Sequence, residues 1–145
     1  MYFAKKKKKK RGFTLIELLV VIAIIGILAT IVIVNVNSAR NKAKDAAVKG
    51  SIDSIRVAAE LFYDGTGNQT YTNVCSDADV AKALTAADNN NSTEVTDCNS
   101  SATEWVACGG LAGDNVNDYC VDFKGNAKSI TAGTCVVAWA ATVCP

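Results

Sequence analysis

The chain has 145 residues, half of them hydrophobic, with 15 Lys/Arg against 14 Asp/Glu, six cysteines, one proline and no histidine. The missing histidine excludes the common nucleophile–imidazole arrangements. The near-neutral balance argues against a large basic nucleic-acid face.

The first twelve residues are a basic leader. Lys5 to Lys10 and Arg11 give seven positive charges before Gly12. Such a run is compatible with nucleic-acid binding, but ahead of an apolar segment it reads more simply as orientation charge, since short basic flanks stay on the cytoplasmic side. From Phe13 to Val34 run 22 residues broken only by Thr14, Glu17, Gly26 and Thr30. As a helix this segment is long enough to cross a hydrocarbon core of ~30 Å. An ordinary secretory signal has a shorter apolar core followed by a small-residue cleavage site. Ala29-Thr30 does not fit that role, because Ile31 to Val34 continue the apolar run. Glu17 is a carboxylate inside the span, which costs on the order of a few kcal/mol and marks a functional position by default.

Arg11-Gly12 followed by Phe13-Thr14-Leu15-Ile16-Glu17 resembles the signal of type IV prepilins and related pseudopilins. The close resemblance runs from about Lys10 to Ile31, and residues 37–46 follow it more loosely. It implies that a membrane-embedded prepilin peptidase cuts between Gly12 and Phe13 on the cytoplasmic side and N-methylates Phe13. It also implies that Glu17 serves methylation and pairs with the N-terminal amine of a neighbouring subunit during assembly. One departure stands out. Many family members carry a proline about twenty residues into the mature chain; here Val34 occupies that place and the one proline is Pro145. On physical grounds, cleavage creates an α-amine one helical turn from Glu17. Pairing that amine with a neighbour's carboxylate selects one axial register, because a mismatch leaves two charges uncompensated.

Residues 35–64 remain helix-compatible. Val48, Ile52, Ile55, Ala59 and Phe62 follow a 4-3-4-3 spacing that marks one apolar helical face. Asp45/Lys49 and Arg56/Glu60 are opposite charges four apart, expected to pair along the helix. Asp64-Gly65-Thr66-Gly67-Asn68 is a stop and turn. One helix from about Thr14 to Asp64 is therefore expected, ~75 Å long at 1.5 Å per residue.

The remaining residues, 65–145, form the expected head. About 80 residues is small for an independent core; the docked helix face and the cysteines compensate. Cys75, Cys98, Cys108, Cys120, Cys135 and Cys144 all lie here and read as three disulfides of an exported domain. Connectivity does not follow from spacing, since six cysteines allow fifteen pairings; the shortest loops give Cys75–Cys98, Cys108–Cys120 and Cys135–Cys144. With neither His nor Cys-x-x-Cys, zinc-site spacing is missing. Ser76 is positioned to cap a short helix over 77–87, followed by an Asn-rich loop at 88–92. Residues 103–108, 119–123 and 134–139 read as strands, with a turn at Lys124-Gly125-Asn126 and a weaker strand at 128–131. Trp105, Tyr119, Phe123 and Trp139 are expected in the core and on sheet faces. The fold class is α+β: a long N-terminal helix packed on a small antiparallel sheet, as the pilin resemblance also implies.

Other features carry bland readings. Asp114, Asn117 and Asp118 offer oxygen ligands for calcium, which some pseudopilins bind, but the loop fits an EF-hand poorly and reads as an Asx-rich turn. Asn91-Ser92-Thr93 and Asn99-Ser100-Ser101 fit a glycosylation pattern. Residues 109–113 lack the Lys-Ser/Thr of a phosphate loop. No cofactor is implied. Loss of residues 1–12 leaves 8 Lys/Arg against 14 Asp/Glu, a balance of −6. Arg40, Lys42, Lys44 and Lys49 form a basic stretch just past the span, suited to a membrane surface or to inter-subunit pairing.

The sequence thus divides into a leader (1–12), a membrane and filament-core helix (13–34), its amphipathic continuation (35–64) and a disulfide-linked head (65–145). It reads as a non-enzymatic pilus subunit, a substrate of the peptidase and of an inner-membrane assembly platform. It would be held single-pass in the inner membrane, N-terminus inside, before filament assembly with copies of itself or other pilins. Two alternatives are a pseudopilin of a type II secretion machine and a minor tip pilin or adhesin.

Overall fold

The computed structural model describes residues 12–91, 96–114, 116–135 and 142–145. It divides into two compact units at Asn37/Ser38. One helix, α1, runs Leu15–Asp64. In the first unit α1 is mostly apolar, and its described large hydrophobic side chains are exposed, from Leu15 at 77% to Val36 at 43%.

The second unit is built around the rest of α1. After it come a 3-10 turn at Val74–Ser76, helix α2 at Ala78–Asp88, and strands β1 (Asp97–Ser100), β2 (Trp105–Gly110), β3 (Asn117–Asp122) and β4 (Ala127–Thr131). The strands form one antiparallel sheet in sequence order. Short connections suit such a meander, and Gly125, at φ +86°, provides the left-handed residue of the β3–β4 turn.

The period-2 alternation of a strand sorts β2 and β3 onto two faces. Trp105, Ala107 and Val121 join Val48, Ile52, Ile55 and Ala59 of α1 in the main core, with Phe62, Tyr119 and Phe123 packed against it. The 4-3-4-3 face of α1 is therefore the face that docks, and Val48, Ile52, Ile55 and Ala59 are fully buried. Gly109 lets the helix approach: a Cβ there would stand 3.1 Å from Val48 and 3.3 Å from Ile52. The opposite sheet face has its own small core of Val106, Cys108, Cys120, Ile130, Cys135 and Cys144. With cover on both sides, all six residues of β2 are buried.

Several expectations change. The side chains of Asp45, Lys49, Arg56 and Glu60 contact the head rather than each other. Asp45 accepts from the Gly113 N–H at 2.8 Å, Lys49 sits 5.6 Å from the Tyr119 ring centroid, Arg56 donates to the Gly125 carbonyl at 3.0 Å, and Glu60 accepts from the Tyr71 hydroxyl at 2.9 Å. These residues flank the docked stripe, so head groups compete successfully for them. Burial, reinforced by Glu60, pushes the Tyr71 phenol up to about 12, so it stays a donor at any physiological pH. The cap of α2 is Asp77, not Ser76; its carboxylate accepts from the Asp79 N–H at 3.0 Å. Strand β1 was not expected, because Asp-Cys-Asn-Ser lacks β-branched and aromatic residues. Of the strand expected at 134–139, Thr134 and Cys135 lie in a turn, and the rest, with Trp139, falls outside the described residues.

The packing predicts a contrast between two sites on α1. Ile52→Ala should cost about 2–5 kcal/mol, whereas Val57→Ala, at a 65% exposed position, should stay within about 0.5 kcal/mol. Denaturation of the full chain in detergent, followed by near-UV dichroism of the buried tryptophan, measures both.

Candidate functional site

The processing segment is the start of α1. Gly12 and Phe13 are exposed and non-helical, two residues before the first helical residue. Thr14 and Glu17 then form a reciprocal cap. The Thr14 N–H and hydroxyl donate to Glu17 Oε2 at 2.8 and 2.9 Å, and the Glu17 N–H donates to Thr14 Oγ1 at 3.3 Å. This is a capping box, Thr-x-x-Glu, which satisfies helix-start donors that apolar surroundings would leave unpaired. Glu17 is therefore not a lone acid within the apolar span: Thr14 is its partner. The signal was present in the sequence as the three-residue spacing of Thr14 and Glu17.

Beyond this cap, α1 is long and apolar enough to cross a membrane, with a mean hydropathy of 3.0 over its best 18-residue window.

In the head the six cysteines pair as three disulfides: Cys75–Cys98, Cys108–Cys135 and Cys120–Cys144. The first pairing agrees with the short-loop expectation; the other two replace it. The reason is sheet register. Cys108 and Cys120 are directly opposite on β2 and β3, where Cβ atoms stand about 4.5–5.5 Å apart, wider than the ~3.8 Å of a disulfide. Both side chains rise from the sheet face that carries the second small core, and there they meet Cys135 and Cys144. Sequence separations of 23 to 27 residues make each cross-link worth about 3 kcal/mol by chain entropy.

Two carboxylates on that same face, spaced i and i+4 along β3, complete the attachment. Asp118 is fully buried and accepts from the Gly133 and Cys135 N–H groups at 2.9 and 3.4 Å. Asp122 accepts from the Cys144 N–H at 3.0 Å and, within its own turn, from the Lys124 and Asn126 N–H groups and the Asn126 amide. Burial pushes the Asp122 carboxyl up, but the Asn126 amide and these three N–H groups outweigh it and hold it below its ordinary value. The alternation Asp118-Cys120-Asp122 was the available signal for these roles, and sequence reasoning missed it.

The oxygen ligands considered for calcium are used otherwise. Asp114 accepts from the Val116 N–H and the Asn117 side-chain amide, which hold its carboxyl below the usual range. Asp118 points into the second small core. Among the described residues no group of three or more His, Cys, Asp or Glu is arranged to hold a metal ion.

Comparison with known proteins agrees with this geometry. Residues 7–33 match the family model described as the prokaryotic N-terminal methylation motif. The chain is 40% identical over 57 residues to the type II secretion system core protein G of Pseudomonas aeruginosa, covering 39% of this chain and 40% of that protein. It is 42% identical over 65 residues to the type IV wide pilus major component PilA4 of Thermus thermophilus (45% and 48% covered). It is 38% identical over 63 residues to the type IV major pilin protein PilA of Myxococcus xanthus (43% and 29% covered). The chain thus spans less than half the length of the curated relatives it matches. No solved structure gives a match. The chain is thus similar to type IV pilins and to a type II secretion system core protein, and it carries the prokaryotic N-terminal methylation motif.

The Asp122 attachment makes a pH-dependent prediction. A carboxyl held low in the folded state contributes stability above its unfolded value, near ~3.9, and loses that contribution as pH falls through its folded value. Head stability should therefore be flat from pH 7 to about 5 and fall below about 4. Asp122→Asn should weaken that acid dependence and cost about 1–3 kcal/mol at neutral pH, read by denaturation across pH with disulfides intact. Peptide mapping without reduction should return Cys108 linked to Cys135 and Cys120 to Cys144; a Cys108–Cys120 peptide would refute the register argument.

Proposed function

We propose that this chain is a structural subunit of a type IV pilus-like filament, made as a precursor and processed at its N-terminus. The observation that carries the reading is the coincidence of the methylation motif at 7–33 with an exposed, non-helical Gly12–Phe13 bond followed at once by a long apolar helix.

In this reading prepilin peptidase cuts Gly12–Phe13 and Phe13 is N-methylated. Residues 1–12 are discarded and 13–34 hold the subunit in the inner membrane, N-terminus inside. Assembly, through an inner-membrane platform, then moves the apolar segment from lipid into contact with copies of itself or with other pilins, while 65–145 form the surface. The Thr14 contacts hold the Glu17 carboxylate in the first turn, at the level where a neighbour's amine would arrive. The pair compensates two charges at once, so it favours one register.

A second reading, a pseudopilin of a type II secretion system, draws on the likeness to core protein G. The two differ in where the processed chain ends up: outside the cell as a pilus, or in the periplasm as a pseudopilus.

Intact-mass measurement of sheared surface material and of membranes decides between them. A chain beginning at N-methyl-Phe13 and abundant in sheared material is expected for the pilus subunit. The same form confined to membranes favours the pseudopilin, and a chain retaining residues 1–12 in both fractions refutes processing. Glu17→Ala should leave cleavage intact and abolish incorporation into filaments in the same assay.

A further inference from the structure

The structure sorts the five bases of α1 beyond its apolar part into two groups. Arg56 and Lys49 are committed to the head, through the Gly125 carbonyl and the Tyr119 ring. Arg40, Lys42 and Lys44 are exposed, and among the described residues they have no hydrogen bond or ion pair. The acid closest to them in sequence, Asp45, is engaged by the Gly113 N–H at 2.8 Å. No Asp or Glu occurs from residue 18 to residue 44. Three positive charges therefore stand together, with Asp45 at their edge turned to the head, beginning four residues after Val36.

Their disposition around the helix is informative. At 3.6 residues per turn, Arg40 and Lys44 lie on one side of α1 and Lys42 on nearly the opposite side, within about 6 Å of axial rise. A partner protein or a second helix meets one side. A headgroup layer meets all sides, and each such layer of a bilayer is roughly 5–8 Å deep. The charges also fall on the exported side of the span, against the usual bias toward cytoplasmic positive charge, so that location calls for a compensating anion.

We infer that Arg40, Lys42 and Lys44 form a collar that binds anionic phospholipid headgroups in the leaflet on the exported side. This rests on the single-span, N-inside reading above. Each base close to an anionic surface strengthens association about fivefold. When the leader is removed, seven bases leave the cytoplasmic side and the collar becomes the main charge contact between the mature chain and the membrane. It sets the depth of the waiting subunit, and those headgroup contacts must break when the subunit leaves the bilayer.

The test uses the full chain reconstituted in phosphatidylcholine vesicles with trace spin-labelled phosphatidylglycerol or phosphatidylcholine. The fraction of motionally restricted label gives the headgroup selectivity. The leader adds its own selectivity, so the comparison is run in a background with Lys5 to Lys10 changed to Gln. The chain should select phosphatidylglycerol severalfold over phosphatidylcholine. The triple variant R40Q/K42Q/K44Q should lose at least a factor of about three of that selectivity, and about 1 M salt should abolish the difference. Equal selectivity in parent and triple variant would overturn the collar and direct these bases to the acidic head of a second copy. Absence of restricted label of either kind would instead overturn the membrane-span reading. The three side chains are exposed and make no hydrogen bond or ion pair among the described residues, so an unchanged near-UV spectrum and disulfide map confirm that the variant is folded.

Discussion

The head depends on one interaction: the docking of Val48, Ile52, Ile55 and Ala59 onto the sheet face that carries Trp105, Ala107 and Val121. A four-stranded sheet of short strands cannot bury enough apolar surface by itself to offset its conformational entropy. The helix face supplies the missing half of the core, and Gly109 lets it come close enough to exclude water. The polar flank then fixes the depth and rotation of the helix, because Asp45, Asp53, Arg56 and Glu60 each bond a different part of the head. These bonds add little energy individually. Together they leave one register for the apolar stripe, so residues 45–62 of α1 and the sheet they dock on fold together.

The second sheet face solves a different problem. Among the described residues its core is small, Val106, Ile130 and four cysteines, and covalent and charge-assisted contacts reinforce it. Cys120 and its two flanking aspartates on β3, with Cys108 opposite, anchor the chain after β4 at Gly133, Cys135 and Cys144. The buried carboxylates are tolerated because each accepts backbone N–H groups that would otherwise be orphaned. Reduction should therefore loosen this face before the helix–sheet core, whose residues include none of the four cysteines concerned.

What the sequence made legible were the elements governed by local periodicity. The helix was expected over 14–64 and runs from Leu15 to Asp64; its buried face followed from the 4-3-4-3 spacing, and Lys124-Gly125-Asn126 marked the tight turn. Strands rich in β-branched and aromatic residues were found with boundaries shifted by about two positions. What was not legible depends on pairing across the sheet. Strand β1 is polar and exists because β2 offers it a ladder and Cys98 a tether. The Cys108–Cys135 and Cys120–Cys144 bonds follow from register, which the spacing of cysteines does not encode. The Asp45/Lys49 and Arg56/Glu60 pairs illustrate the same limit: a local rule predicted a weak pairing, and tertiary contacts outcompeted it. The Thr14–Glu17 cap is the opposite case. Its spacing was in plain view, but the carboxylate had been read for its charge alone.

That cap bears on why a carboxylate is compatible with so apolar a segment. The same residue types, valine and isoleucine, are fully buried at 48, 52 and 55 and largely exposed from 15 to 36. A contiguous apolar surface of that size is not stable in water, so it needs lipid or other helices around it. In either setting the first turn of a helix is the vulnerable point, since its N–H groups have no partners within the helix. Glu17 supplies acceptors there and Thr14 returns one. The carboxylate thus has a structural task in the single chain, besides the assembly role proposed for it. Substitutions at Glu17 and at Thr14 should be compared in pairs, because removing either alone disturbs the helix start and the charge together. Glu17→Gln keeps part of the cap while deleting the charge, with Thr14→Ser as the control that keeps both, so the comparison separates the helix-capping role from the proposed assembly role that a single alanine would merge.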